Sequence, residues 1–179
     1  MSLDNLFHQT PPGPNPPKVI YCLVEIPKGS SNKYEYSLEF GAFILDRPLY
    51  SAVFFPTEYG IIPQSWAKDG DPLDVMVVSS FSTFSGCLLA CRPIGVLKLN
   101  DSGSPDNKIL AVPTSDPRFS EVHDLGDLSP HFKKEICNFW ENYSELQPNK
   151  KIKIKGWGNK ELAWKTINKA LAFYREKFR

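Results

Sequence analysis

The chain is short of the side chains that most often bind soft metals or attack substrates: 4 cysteines and 3 histidines stand among 179 residues. Cys22, Cys87, Cys91 and Cys137 fall in apolar segments without a CxxC pair, which predicts buried, reduced thiols and argues against a zinc cage or a disulfide framework. His8, His123 and His131 show no ligand spacing and read as surface or packing residues, and no serine sits in a nucleophile elbow. Charge of one sign is lacking too. With 21 Lys and Arg against 20 Asp and Glu the net charge is +1, whereas nucleic-acid binders carry a basic surplus. No apolar run is long enough to span a membrane, and the opening MSLDNLFHQTPPGPNPP lacks the basic and apolar regions of a secretory signal. A cytoplasmic protein is expected, in which the Asn142-Tyr143-Ser144 sequon has no consequence. A glycine-rich phosphate loop is also missing.

What is present predicts one domain, residues 1–179, opened by a Pro-rich lead over 1–17. At 41% hydrophobic and 23% charged residues the chain can bury a core, with disorder expected only at its ends. Val19 to Ile26 is an apolar, β-branched run that reads as a buried strand, and KYEYSLEF from Lys33 alternates as a half-exposed one. AFIL leads to Asp46 and Arg47, and AVFF leads to Pro56 and Tyr59. Further strands are expected at DVMVVS from Asp74, LLAC from Leu88, PIGVLKL from Pro93, KILAVP from Lys108 and KIKIK from Lys151. From Ser129 the period changes. Ser129 can cap and Pro130 suits the first turn, while Phe132, Ile136, Phe139, Trp140 and Tyr143 recur at helical spacing. A second helix follows Asn159, with Ala163, Ile167, Ala170, Leu171, Tyr174 and Phe178 on one face. Strands first and helices late predict an α+β fold: a small curled sheet or barrel with helices outside.

Acidic residues supply the chemistry that the absences leave open. DGDPLD places Asp69, Asp71 and Asp74 within six residues, with Gly70 and Pro72 setting the backbone. Carboxylates this close raise each other's pKa unless a positive charge lies among them. Hard divalent cations take oxygen ligands, and Mg²⁺ is commonly held by one or two carboxylates and substrate phosphate oxygens. An EF-hand loop is excluded by Leu73 at its fifth position and Asp74 where glycine is required. A plain solvated turn is the alternative. A second cluster, LNDSGSPDNK, carries Asp101 and Asp106 just before Lys108, and Lys33, Arg47 and Lys108 are cations near strand ends. Together these point to a metal-assisted reaction on a phosphate compound.

The order LVEIP with Glu25, NKYEY with Lys33 and Glu35, LDRPLY with Arg47, FFPTEYGIIP with Tyr59, DGDPLD, RPIGVLKLNDSG, NFWENY and KGWGN closely resembles the soluble family I inorganic pyrophosphatases. The likeness runs from about Pro14 to the C-terminus, and the length matches the shorter, prokaryotic branch. The resemblance implies a five-stranded OB-type β-barrel with extra strands and two main helices packed outside. It also implies hydrolysis of pyrophosphate to two orthophosphates, dependent on Mg²⁺ with Mn²⁺ or another divalent ion possible, by a hydroxide formed on the metal. By that resemblance Asp69, Asp74 and Asp106 match ligands of a first metal, and Asp74 is shared with a second. Asp101 matches a ligand of the ions that arrive with substrate, with Glu25 nearby as an acidic contributor. Asp71 matches the general base, and Lys33, Arg47, Tyr59, Lys108 and Tyr143 match groups that hold the two phosphates. Prokaryotic members usually assemble as homo-hexamers.

Three positions depart from the common bacterial pattern: Phe55 replaces a frequent Tyr, Ser102 a frequent acid, and Ser144 a frequent Lys that Lys150 or Lys151 could offset. Other readings are hydrolysis of a different phosphoanhydride, a barrel that binds single-stranded nucleic acid, and an inactive relative kept for binding. The near-zero net charge opposes the second, and the complete set of aspartates opposes the third.

Overall fold

The computed structural model describes residues 5–178, so the first four residues of the Pro-rich lead lie outside the described residues. The rest of that lead is ordered against the body. Asn5 caps a short helix, α1 (Leu6–Gln9), and Phe7 is fully buried against Tyr174 of the C-terminal helix.

Among the described residues nine strands follow in chain order: β1 (Ile20–Ile26), β2 (Asn32–Ser37), β3 (Ala42–Pro48), β4 (Glu58–Ile61), β5 (Asp74–Val77), β6 (Leu88–Asp101), β7 (Ser104–Pro105), β8 (Lys108–Pro113) and β9 (Ile152–Asn159). The helices α2 (Pro130–Tyr143) and α3 (Lys160–Phe178) flank β9 in sequence. β1 pairs β4, β4 pairs β5, β5 pairs β8 in parallel, β8 pairs β6, and β6 returns to β1, so five strands close a ring. This is the α+β, OB-type arrangement expected, with β9 and β7 added along the far half of β6 and a separate β2–β3 hairpin.

Two expectations about strands are corrected. LLAC and PIGVLKL are one 14-residue strand, because Pro93 falls at a register shift between Pro93 and Gly95 where a missing N–H breaks no ladder. AVFF is not a strand: Phe55 N donates to Ser30 O and Phe55 O accepts from Gly29 N, so a turn takes up the hydrogen bonds a neighbouring strand would need. Closure is tight at Gly60, where a Cβ would stand 2.1 Å from Leu23 O, so only glycine lets β4 approach β1 there.

Alternation along the central strands divides the core. Val75, Val77, Ile109 and Ala111 pack with Ala163, Ile167 and Ala170 of α3, while Met76, Val78, Leu110 and Val112 pack with Ile136, Phe139 and Trp140 of α2. Strands buried on both sides explain why the sequence shows them as continuous apolar runs. The helical faces fall as expected, except that Phe132 and Phe178 are only partly buried and Ser129 makes no side-chain cap bond. Cys22 and Cys91 are buried, whereas Cys87 and Cys137 are half-buried; all are free thiols.

Candidate active site

The topology brings the two acidic loops to one end of the barrel. β5 and β8 run parallel with Val75 opposite Ile109, so Asp74 and Lys108 open neighbouring strands side by side. β6 ends at Asp101 on the same side, and the hairpin places Lys33 across from Arg47. A cleft of about 730 Å³ results. Ten of the eleven expected site residues line it: Glu25, Lys33, Tyr59, Asp69, Asp71, Asp74, Asp101, Asp106, Lys108 and Tyr143. Arg47 does not line the cleft but reaches its rim, where Nη2 donates to Tyr143 Oη at 2.9 Å and to Gln147 Oε1 at 3.0 Å.

The first loop is held from below. Ser65 Oγ, fully buried, donates to Ile62 O at 2.6 Å and accepts from Leu73 N at 2.9 Å, closing the base of the segment. Ala67 N donates to Asp71 O, Asp71 N to Asp69 Oδ1 at 3.3 Å, and Gly70 turns the chain at φ +98. The exposed turn thereby also lines the cleft with the carboxylates of Asp69, Asp71 and Asp74. The second loop turns at Ser102 and Gly103, both with positive φ, and Asp106 N donates to Leu99 O.

Lys108 joins the two loops. Its Nζ lies 2.5 Å from Asp74 Oδ2 and 2.5 Å from Asp106 Oδ1, with only 4% of the side chain exposed. Burial disfavours its charge, but the two carboxylates outweigh burial and raise its pKa above the ordinary lysine value. The ammonium also stands 5.6 Å from the ring centre of Tyr59 and 5.2 Å from that of Trp140.

Elsewhere the carboxyls are short of positive charge. Burial, then repulsion from Asp74 and Glu35, raises the pKa of Asp71, and burial with repulsion from Asp106 and Asp74 raises that of Asp69. Asp106 is raised by burial despite Lys108, and Glu25 is pushed up to about 8 by burial although Tyr36 N donates to it at 2.8 Å. Lys33 bonds Glu35 and, at 2.9 Å, Asp46; burial disfavours its charge, yet Tyr143 and these acids raise its pKa. Burial, followed by Asp74 and Asp106, holds the Tyr59 phenol protonated far above its usual range.

Seven carboxyl groups against three ammonium groups, those of Lys33, Lys108 and Lys150, face this cleft, with no histidine or cysteine among its walls. Among the described residues no three such ligands converge closely enough to cage an ion as they stand, and Lys108 occupies the space between Asp74 and Asp106. The donor set nevertheless fits hard divalent cations: it is all oxygen, it comes from two loops, and its surplus negative charge is unrelieved.

Glu35, Gln147 and Lys150 also face the cleft; the sequence offers Lys150 only as one of two stand-ins for the Lys missing at position 144, and gives Glu35 and Gln147 no role in the site. Glu35 was detectable, since it lies two residues from Lys33 on a strand and bonds it. Gln147 carried no such signal, because its segment reads as a polar loop after α2. Of the three departures, Phe55 is buried against Phe139 with ring centres 4.8 Å apart, Ser102 Oγ donates to Asp101 Oδ1 at 2.9 Å, and Ser144 is buried behind the helix end.

Fold and cleft together define a class: an α+β protein with an OB-type barrel and an acidic, ammonium-studded cleft at its strand ends. The comparisons narrow it. The family model described as inorganic pyrophosphatase matches residues 22–175. An inorganic pyrophosphatase of Picrophilus torridus is 46% identical over 170 residues, covering 95% of this chain and 96% of that protein. One from Geobacillus stearothermophilus is 46% identical over 159 residues, covering 89% of this chain and 96% of that protein. The crystal structure of inorganic pyrophosphatase from Thermus thermophilus superimposes with a TM-score of 0.91 at 36% identity, covering 98% of this chain and 99% of that one. The chain belongs to the inorganic pyrophosphatase family.

Proposed function

We propose that this protein is a single-domain inorganic pyrophosphatase that hydrolyses pyrophosphate to two orthophosphates with Mg²⁺, Mn²⁺ serving in its place. The observation that carries the reading is Lys108 bridging Asp74 and Asp106, which joins two acidic loops around one cleft. Family membership supports the choice of pyrophosphate over other phosphoanhydrides.

Pyrophosphate is an anion that repels a hydroxide nucleophile, so the site must supply positive charge and a water ready to lose its proton. Asp69, Asp74 and Asp106 would hold divalent ions, with Asp101 and Glu25 contributing further carboxylates from the same cleft. When bound, such ions would screen phosphate charge and lower the pKa of a water they coordinate. Asp71 is the base: burial and its acidic neighbours raise its proton affinity, which suits a carboxylate that must accept a proton. The water oxygen bonds one phosphorus, the bridging P–O bond breaks, and the proton passes to Asp71. Lys33 and Lys108 stabilise charge on phosphate oxygens without titrating near neutrality, and Arg47 acts from the rim with Tyr143. The Tyr59 phenol keeps its proton and donates it as a hydrogen bond.

A phosphate-release assay with pyrophosphate and Mg²⁺ tests the reading. Release is expected with pyrophosphate well ahead of ATP, and Asp71→Asn should lower kcat by about 10²-fold or more. No release, or full activity of the variant, overturns it. Among the described residues no helix is long and apolar enough to cross a membrane. Cytoplasmic residence and a homo-hexamer complete the proposal by family analogy, and exposed Phe40, Phe81 and Phe84 offer apolar surface for such an assembly. Gel filtration with light scattering checks the subunit number.

A further inference from the structure

The cations of the cleft differ in how far their donors are already committed. Lys108 is almost wholly buried between two carboxylates, and Lys33 bonds both Glu35 and Asp46. Arg47 is engaged by Asp46, Tyr143 and Gln147. Lys150 differs. Its Nζ has one carboxylate partner, Asp101 Oδ2 at 2.8 Å, and its side chain keeps 24% exposure at the cleft wall. An ammonium has three N–H donors, so it retains donors for a second partner.

The backbone fixes that side chain in place. Gln147 is tied to Arg47, Lys150 N donates to Gln147 O, Asn149 takes the left-handed conformation at φ 62, and Ser102 N donates to Lys151 O at 2.9 Å. The segment is thus fastened to the rim on one side and to the second acidic loop on the other, which directs Lys150 across the mouth toward Tyr143, whose ring centre is 5.9 Å from Nζ. Ser144, next to Tyr143, is only 2% exposed and cannot supply a contact in the cleft.

Building on the pyrophosphatase reading, we propose that Lys150 is a substrate-binding cation, parked on Asp101 in the ligand-free protein and transferred to a phosphate oxygen when substrate fills the cleft. A partly exposed lysine–carboxylate pair is weak, whereas a phosphate oxygen of higher charge forms a stronger charge-assisted bond, so the exchange runs downhill. The same exchange frees Asp101 to meet the ions that accompany the substrate. Lys150 therefore helps set affinity for substrate and product more than the rate of bond cleavage.

The test compares Lys150→Gln, Lys150→Arg and, as a charge control on the exposed edge of β9 outside the cleft, Lys153→Gln. Orthophosphate binding is titrated calorimetrically in Mg²⁺, and kcat and KM are measured with pyrophosphate. Lys150→Gln should raise the orthophosphate Kd and the KM about tenfold each, the loss expected for one hydrogen bond to a charged group. Its kcat should stay within about threefold of the parent, and Lys150→Arg should recover most of the affinity. Unchanged Kd and KM in Lys150→Gln, or an equal effect from Lys153→Gln, overturns the assignment. If the parent protein releases no phosphate from pyrophosphate yet its orthophosphate Kd still depends on Lys150, the pyrophosphatase reading fails while Lys150 stands as a phosphate-binding residue.

Discussion

Glu25 and Glu58 lie on the paired strands β1 and β4, and both are buried, yet they face different surroundings. Glu58 is fully enclosed and accepts from Thr83 N at 2.9 Å, Thr83 Oγ1 at 2.8 Å and Ser79 Oγ at 3.3 Å. Neutral donors satisfy it, and it acts as a peg for the loop that follows β5. Glu25 accepts one backbone N–H and otherwise faces a cleft crowded with acids, and it holds its proton up to about pH 8. One strand pair therefore separates a carboxylate that stabilises the scaffold from carboxylates that the scaffold leaves short of positive charge. A buried acid with a full set of donors has nothing to offer an ion, whereas one with few donors stores an attraction that a bound cation can release.

Removing a charge on the cleft side should have the largest effect. Lys108→Met leaves Asp74 and Asp106 facing each other without the ammonium and deletes the phosphate contact proposed for it, so kcat at saturating Mg²⁺ should fall by about 10² to 10³. Steady-state assays check it. Activity within tenfold of the parent would mean that Lys108 belongs with the scaffold, as Glu58 does.

The next contrast is in pH dependence. The folded pKa of Glu25, about 8, lies above its ordinary value, so the folded state binds more protons than the unfolded state between about pH 4.5 and 8. Stability must then fall as pH rises through that window and level off above it. Urea unfolding in the presence of a chelator should show this slope in the parent, and Glu25→Gln should lack its share, making the variant more stable at pH 8.5 by a few kcal/mol, roughly. Added Mg²⁺ should narrow the gap by supplying the missing positive charge. Parallel stability–pH curves for the two proteins would show that Glu25 titrates normally.

Much of the fold and of the candidate site was visible in the sequence, although the contrast between the two glutamates was not. DGDPLD sets its carboxylates through local turn chemistry, and the apolar spacing of α2 and α3 reports their buried faces directly. What stayed hidden depends on chain closure. Whether Pro93 ends a strand or sits at a bulge within one depends on what lies alongside it, and whether AVFF extends depends on the turn at Gly29 and Ser30. The opposite fates of Glu25 and Glu58 are likewise set by the loop containing Thr83 and by the cleft. Lys150 gained its place only because two loops distant in sequence are fastened together by the bond from Ser102 to Lys151.

On the scaffold side, Glu58→Gln replaces one acceptor oxygen with an NH₂ group that must face donors from Thr83. Urea unfolding should show a loss of about 2 kcal/mol, from broken buried hydrogen bonds, while kcat of the folded variant stays within about twofold of the parent. A kcat loss approaching that of Lys108→Met would erase the distinction between the two glutamates.

The smallest effect expected sharpens the comparison from the opposite sign of charge. His8 of α1 is buried against α3, with Nδ1 2.6 Å from Tyr174 Oη and Nε2 buried without a hydrogen-bond partner. Desolvation lowers its pKa below the ordinary value of 6.5, so the unfolded state binds the proton more readily. The contribution of a neutral His8 is fully present above that value and is lost as pH falls through it, a slope opposite to that of Glu25. His8→Gln should therefore remove the rise in stability with pH that His8 contributes between pH 7 and pH 5, a range in which Glu25 contributes a slope of the opposite sign, and so change the steepness of the curve there. If the acid limb keeps its steepness in His8→Gln, the packing of α1 against α3 is indifferent to the proton, and the acid sensitivity of the fold must come from other ionisable groups.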